Sequence, residues 1–487
     1  MHVDSVDSDI APSGTLLGLL QRGRGDGTLH ALAAPRAEAL HALWRCVLRD
    51  PRSDWHIEHR SLYYARLHAE LDAGLDTLAD HLFHPDDQLA AERAEHRTGL
   101  ALSVLGHLAS YGDDGALVLL RRYAATGANW QWALDELAVR DEDAALRLLG
   151  PAVLARFPQT PRGDAELAAA SRDAFEPRPW RLWAEDPARP AQAERLRRVS
   201  EQRSFDRWQR QLNTGPRPGW SVREVLDWAQ EDAEQRPGPS REAAAARCLL
   251  AVAGPEDRPA LLAAAAGAEP GGPIRRAVAL RHLAEVGDRA APDLIELAAA
   301  DPRPTVAESA LAAFARMRGD AAVCRAREWA AAPEGALPEG LAAAAGEMLA
   351  CRGGERDATA VLAALRRTVR VAGADSPALW PLVDGAGRLA VRAAAPVLRH
   401  VYRETASSEL RGRTARALAV TDPSFAAGFA VECLWDCEES TRELAAQYAA
   451  TGDDRVVERL RRLAADPAEE AGVRGAVRGR LSPGPGR

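Results

Sequence analysis

The sequence predicts an all-α protein, an α–α superhelix of stacked antiparallel helix pairs. Three observations carry this expectation. First, the stretch 273–332 repeats itself: PIRRAVALRHLAEVGDRAAPDLIELAAADP is followed by PTVAESALAAFARMRGDAAVCRAREWAAAP. Second, each copy reads as helix, Gly-Asp turn, helix and a Pro-bearing connector. Third, turn aspartates recur with a period in the low thirties: Asp288 to Asp320 spans 32 residues, and Asp257 to Asp288 and Asp422 to Asp453 each span 31. A lone helix pair cannot bury its apolar face, so pairs repeated at this period stack on their neighbours to share one core, as in an α-solenoid.

Within the first copy, Ile274, Ala277, Leu280 (or Val278), Leu283 and Val286 recur at spacings of three and four, which places them on one helical face. Gly287 ends that helix because glycine accepts the left-handed conformation. Asp288 is placed to cap the next helix, whose inner face carries Ala291, Leu294, Ile295 and Ala298. Pro302 and Pro304 stop it. The second copy is expected to open on a capping box from Thr305 to Glu308, and a later helix on one from Ser440 to Glu443. Between Asp320 and Asp422 the register loosens through 337–369 and 377–402, although both segments still read as helix pairs.

The run Ile274-Arg275-Arg276-Ala277, Ala279-Leu280, Leu283, Gly287-Asp288, Ala291-Pro292 and Leu294-Ile295 resembles bacterial HEAT repeats of the type also found in phycobilin lyases. The resemblance covers roughly 240–332. The second copy departs from it at Ala307, where an Arg would be usual. It implies a HEAT- or armadillo-like fold, and it implies no single activity, since repeats of this kind are structural modules.

Taken in order, residues 1–28 are expected to be a flexible segment, including Arg22-Gly-Arg24-Gly. An acidic, His-rich set of helical repeats follows over 29–157: a helix over 36–49, a long helix over 58–83, and pairs over 88–111 with 114–125 and 129–139 with 142–156. Residues 158–239 are rich in Trp, Arg and Pro and read as a connector with two helices, 190–213 and 222–235. The second of these has a capping box at Ser221 and Glu224, with Trp220 and Val225 placed as a hydrophobic staple. Repeats resume at 240 and run to 481, and 482–487 is a tail.

Composition narrows the function. The chain has 487 residues and no Lys; all 62 basic residues are Arg, which excludes Schiff-base and P-loop lysine chemistry. Residues 1–160 hold 15 Arg against 23 acids and so carry the whole net charge of −8. An acidic first third argues against nucleic acid as the main ligand. The six cysteines form no CxxC pair and read as free thiols of a reducing cytoplasm. Cys433 and Cys437 are expected to share a helix face. A basic leader and a long apolar run are both absent, so a cytoplasmic, non-membrane location is expected.

Candidate functional residues are few. His81 and His84 stand three apart among acids, as do His56 and His59, a weak pattern for metal that reads better as helix-surface histidine. A HEAT-repeat hydroxylase would need His-Glu dipeptides, and the chain has none. Paired acids such as Asp86-Asp87, Asp113-Asp114, Asp141-Glu142-Asp143 and Asp453-Asp454 read mostly as helix caps rather than as acid–base pairs. Seven arginines between 195 and 217, with Trp208 among them, suit a phosphate or an acidic partner, and Arg195, Arg198, Arg203, Arg207 and Trp208 are the partner-binding candidates there. Trp380 and Trp435 sit at helix ends and join them as possible anchors. Trp329 aligns with Leu297, an inner-face position. The expectation is therefore a non-catalytic scaffold or adaptor that docks a protein partner on its concave face, with no cofactor. The alternatives are an enzyme on the same repeat, resembling a DNA alkyl-glycosylase or a phycobilin lyase, and a metal-binding module at the His-rich start.

Overall fold

The computed structural model describes residues 10–52, 60–88, 91–201, 219–231, 239–267, 272–333 and 335–481. Every regular element among them is helical, so the all-α expectation holds. The chain divides into two compact units, residues 1–209 with 402–487, and residues 210–401.

In the 210–401 unit the helices pack in two interleaved rows. The helices Pro239–Val252, Pro273–Glu285, Pro304–Arg316, Glu339–Arg352 and Leu379–Arg388 each contact the next of the set. The helices Arg258–Ala266, Ala291–Ala299 and Asp320–Ala331 do the same on the other side. Ala277, Leu280 and Leu283 are buried, as their spacing requires, but Val286 is 54% exposed. The helix has ended there, and Gly287 turns the chain with a φ of 72°. The second copy makes its turn differently. Gly319 is extended and precedes the first residue of the Asp320–Ala331 helix. Two expected capping boxes are also absent. Thr305 and Ser440 lie inside helices that start one residue earlier, at Pro304 and Glu439. The box at Ser221 and Glu224 does form, with the Ser221 amide donating to Glu224 at 2.7 Å and the Glu224 amide to Ser221 Oγ at 3.3 Å.

The 1–209/402–487 unit is built from the first and last parts of the sequence. The Gly25–Ala33 helix packs on the Phe429–Cys433 helix. The Cys437 amide donates to the Gly23 carbonyl at 2.9 Å. Arg22 donates to the Glu404 carbonyl at 3.2 Å and Arg24 to the Arg403 carbonyl at 2.8 Å. Residues 10–28, expected to be flexible, are thus largely helical and buried, and their glycines allow close approach: a Cβ on Gly25 would lie 1.8 Å from the Glu432 carbonyl oxygen. The single helix expected over 58–83 is two, Arg60–Glu70 and Asp76–Leu82, separated by left-handed residues at Asp72 and Gly74. The stretch 158–239 holds two helices beyond those expected, Pro161–Asp173 and Arg178–Ala184. The boundaries of the compact units fall at 209/210 and 401/402. The cause is this pairing of distant segments. Cys433 ends one helix and Cys437 lies past it, so the two do not share a helix face.

One side-chain device recurs in both units. Arg276, Arg411 and Arg442 are each the fourth residue of a helix, and each reaches a carboxylate two or three residues ahead of a later helix. Arg276 meets Asp301 at 2.6 Å, Arg411 meets Asp436 at 2.8 Å, and Arg442 meets Glu469 at 2.7 Å. These pairs are buried to 9% exposure or less on both sides. Burying two charges requires good geometry and further hydrogen bonds. Arg442 supplies them by also donating to the Asp436 and Cys437 carbonyls at 2.9 and 2.6 Å. Ala307 is the fourth residue of its helix and carries no such tie.

Candidate functional site

Trp435 leads to a candidate site. It lines a cavity of about 480 Å³ within the 1–209/402–487 unit, together with Tyr63, Arg66, Tyr111, Arg459 and Arg462. The helices Arg60–Glu70 and Asp454–Ala465 supply the three arginines, and the segment after the Phe429–Cys433 helix supplies Trp435.

The arginines differ in their partners. Arg66 reaches Asp466 at 2.8 Å and Glu469 at 2.9 Å. Burial opposes its charge, but Glu469 and Asp466 outweigh burial and hold its pKa above the ordinary value. Arg462 meets Glu70 at 3.1 Å and Glu458 at 3.3 Å. Arg459 has no carboxylate within ion-pair distance among the described residues. Its Nε donates to the Leu434 carbonyl at 3.1 Å, and its guanidinium carbon stands 5.3 Å from the centre of the Trp435 ring. Burial, with Arg66 and Arg442 close by, pushes its pKa down to about 9, against the weaker pull of Glu469 and Asp466. Tyr111 is pushed up to about 12, first by burial.

A second cavity, about 600 Å³, lies in the 210–401 unit. It opens between the helices Asp320–Ala331 and Ala358–Ala372, where the two-row packing lapses and the repeat register loosens in sequence. Arg366, Arg367 and Arg370 line it, with Trp329 and Glu339. Among the described residues, Arg366 and Arg367 donate only to carbonyls, of Ala393 at 3.5 Å and Ala342 at 3.2 Å. Trp329 is itself a core residue: it is 4% exposed, packs its ring at a tilt against that of Phe314 with centroids 4.6 Å apart, and donates to Glu296 at 2.9 Å. The alignment that suggested this used Leu297, which is 59% exposed, so the two positions are not equivalent.

A third cavity, about 590 Å³, is lined by Trp130, Trp132, Trp180, Phe175 and Asp135. Burial, with the Glu176 charge, raises Asp135 to about 6, although the Glu176 amide donates to it at 3.1 Å. Glu95, Glu166 and Asp173 also line this cavity and no arginine does.

The remaining candidates are not gathered together. Arg195 and Arg198 converge on Asp164 at 2.8 and 3.2 Å, and Arg195 also holds the Phe157 and Pro158 carbonyls. They tie the Pro190–Glu201 helix to the Pro161–Asp173 helix. Arg203, Arg207 and Trp208 lie outside the described residues. Trp380 is half-buried near the start of the Leu379–Arg388 helix, in the 210–401 unit. His81 bonds the Arg97 carbonyl at 2.8 Å, and burial lowers its pKa. His84 is exposed beside Asp86 at 3.2 Å. His56 and His59 lie outside the described residues, and among the described ones no three His, Cys, Asp or Glu side chains converge as metal ligands. Of the paired acids, Asp113 caps by accepting from the Ala116 amide and Asp453 from the Arg455 amide. Asp87 is instead a buried acceptor for Tyr123 at 2.6 Å and the Ala128 amide at 2.9 Å. All six cysteines are free thiols, and among the described residues no helix is long and apolar enough to cross a membrane.

Sequence reasoning found Trp435 by residue type but missed Arg66 and Arg459. The only available signal was an Arg among the apolar positions of a strongly amphipathic helix, Asp454–Ala465. No protein-family model matches the sequence, and no curated protein is significantly similar to it.

Proposed function

We propose that the protein is a non-catalytic adaptor of the HEAT-like α-solenoid kind that docks an acidic segment of a protein partner. The observation that carries this is the groove beside Arg366, Arg367 and Arg370. It is lined by the helices Asp320–Ala331, Glu339–Arg352 and Ala358–Ala372, and among the described residues two of its three cations are held by carbonyls alone. A pre-formed apolar-floored groove with unneutralised guanidinium groups suits a carboxylate-bearing peptide, since arginine binds carboxylates in a fixed fork geometry. The two-row packing of the 210–401 unit supports the repeat reading, because from Pro239–Val252 to Asp320–Ala331 the helices contact their next-but-one neighbours. Free cysteines fit a reducing compartment such as the cytoplasm.

The test is affinity capture from the native host with and without nuclease, using wild-type protein and Arg366→Glu/Arg367→Glu. A stoichiometric protein that survives nuclease and is lost from the variant supports the proposal. Recovery of nucleic acid, or a partner indifferent to the variant, sinks it.

An enzymatic reading keeps one specific observation, Asp135 with a raised pKa among tryptophans, as acid catalysis would require. Four carboxylates and no arginine line that cavity, which is a poor fit to DNA. Turnover of a non-nucleic-acid substrate, abolished in Asp135→Asn, is the result that would promote it.

A further inference from the structure

The Trp435 cavity lies in the other unit from the adaptor groove, and its chemistry stands independently of that proposal. We infer that it binds a small organic monoanion with a flat apolar body, an aromatic or heteroaromatic carboxylate, with Arg459 as its counter-ion and Trp435 as part of its wall.

Charge sets the first half of the inference. Three guanidinium groups line the cavity. Arg66 is neutralised by Asp466 and Glu469, and Arg462 by Glu70 and Glu458. Arg459 is left with one carbonyl and one aromatic ring. Its Nε is spent on the Leu434 carbonyl, while its two terminal nitrogens have no bond to a described residue. Neither is a fully buried orphan, and Arg459 lines the cavity. A half-buried cation without a counter-ion is costly, and an anion that enters removes that cost. One unneutralised charge matches one negative charge. A dianion would have to compete with Asp466 or Glu70, which also line the cavity.

Shape and polarity set the second half. Trp435, Tyr63 and Tyr111 supply aromatic wall, and Leu32, Leu67 and Pro467 aliphatic wall. The Tyr63 hydroxyl is already committed to the Arg24 carbonyl at 2.8 Å, and that of Tyr111 faces Asp466 at 3.4 Å. Beyond the charged groups, these side chains therefore offer mainly apolar surface. A volume of about 480 Å³ lies in the range of small-molecule sites. The cation–π contact holds Arg459 against Trp435, which fixes the guanidinium without consuming its terminal donors.

The test is calorimetric titration of the full chain with benzoate, its neutral isostere benzamide, and inorganic phosphate, backed by thermal unfolding with each. The structure predicts saturable one-to-one binding of benzoate, with benzamide and phosphate each weaker by about tenfold or more. Arg459→Gln should lose about tenfold or more of the benzoate affinity, Arg459→Lys should retain part of it, and Trp435→Leu should weaken benzoate without affecting phosphate. Unliganded Arg459→Gln should unfold no earlier than wild type, because the cation it removes is not neutralised. A purely structural arginine would give earlier unfolding and no ligand dependence. Equal binding of benzoate and benzamide, benzoate binding unchanged in Arg459→Gln, or no binding of benzoate at all would each overturn the inference. Should Arg459→Gln fail to fold, the Arg459→Lys and Trp435→Leu titrations decide on the same terms.

Discussion

Removing the Arg411 guanidinium should be among the most damaging single changes in the chain. Its side chain and that of Asp436 are both 0% exposed, and they meet in a two-pronged pair at 2.8 and 3.0 Å. Arg411→Met keeps most of the volume and deletes the charge. Asp436 would then be buried with the Glu438 amide, at 2.9 Å, as its remaining close donor. Stranding a buried charge costs about 3–5 kcal/mol. The double variant Arg411→Met/Asp436→Leu strands no charge. It forfeits the Glu438 bond, worth about 1 kcal/mol, and should recover at least about 2 kcal/mol relative to Arg411→Met. The assay is urea unfolding followed by far-ultraviolet circular dichroism, with midpoint and slope fitted separately. Two results would refute the reasoning. One is a single-variant loss below about 1 kcal/mol, as for a surface pair. The other is a double variant at least as unstable as Arg411→Met.

Gly25→Ala should destabilise by about 3 kcal/mol or unseat the Gly25–Ala33 helix, since its new methyl meets the Glu432 carbonyl; thermal melts with limited proteolysis of residues 10–33 will report either. Glu432 is raised from the ordinary 4.5 to about 7 by burial and then by Asp26, against Arg24 and Arg403. Its folded form therefore holds a proton that the unfolded chain releases, so its contribution to stability falls as pH rises from 4.5 to 7. Glu432→Gln should accordingly be more stable than wild type by about 1–2 kcal/mol at pH 8, allowing for its partial exposure, and indistinguishable near pH 4. Glu469 has the opposite sign. Burial opposes its charge, but Arg442 and Arg66 hold it down at about 2. Its stabilisation should be complete above pH 5 and lost as pH falls toward 2, a step that Glu469→Gln removes from the stability profile.

Local rules read the helices well wherever neighbours in sequence are neighbours in space. Ala277, Leu280, Leu283, Ile295 and Ala298 follow helical spacing and are all buried. The errors have local causes too. Asp72 and Gly74 break the 58–83 run by turning left-handed, and the Asp-Ala-Gly signal was present in the sequence. Glycine misled where it serves close packing: Gly23 and Gly25 lie against residues some 400 positions away, a separation that periodicity cannot report. Arg276, Arg411 and Arg442 are buried. Their shared fourth position and the acids ahead of later helices were legible as a pattern, but their burial depends on the packing of neighbouring helices. The Trp435 cavity follows the same division. Its tryptophan stood out as a type, while Arg66 and Arg459 acquire meaning only when residues 60–70 and 454–465 meet.

The adaptor proposal turns on whether the groove of the 210–401 unit recognises an acidic protein segment. The most direct measurement is the affinity of the captured, nuclease-resistant partner for wild-type protein and for Arg366→Glu/Arg367→Glu, at low and high salt. The account predicts a loss of about tenfold or more on charge reversal and a salt dependence that largely disappears in the variant. Equal affinity for both proteins, with the same salt dependence, would contradict it.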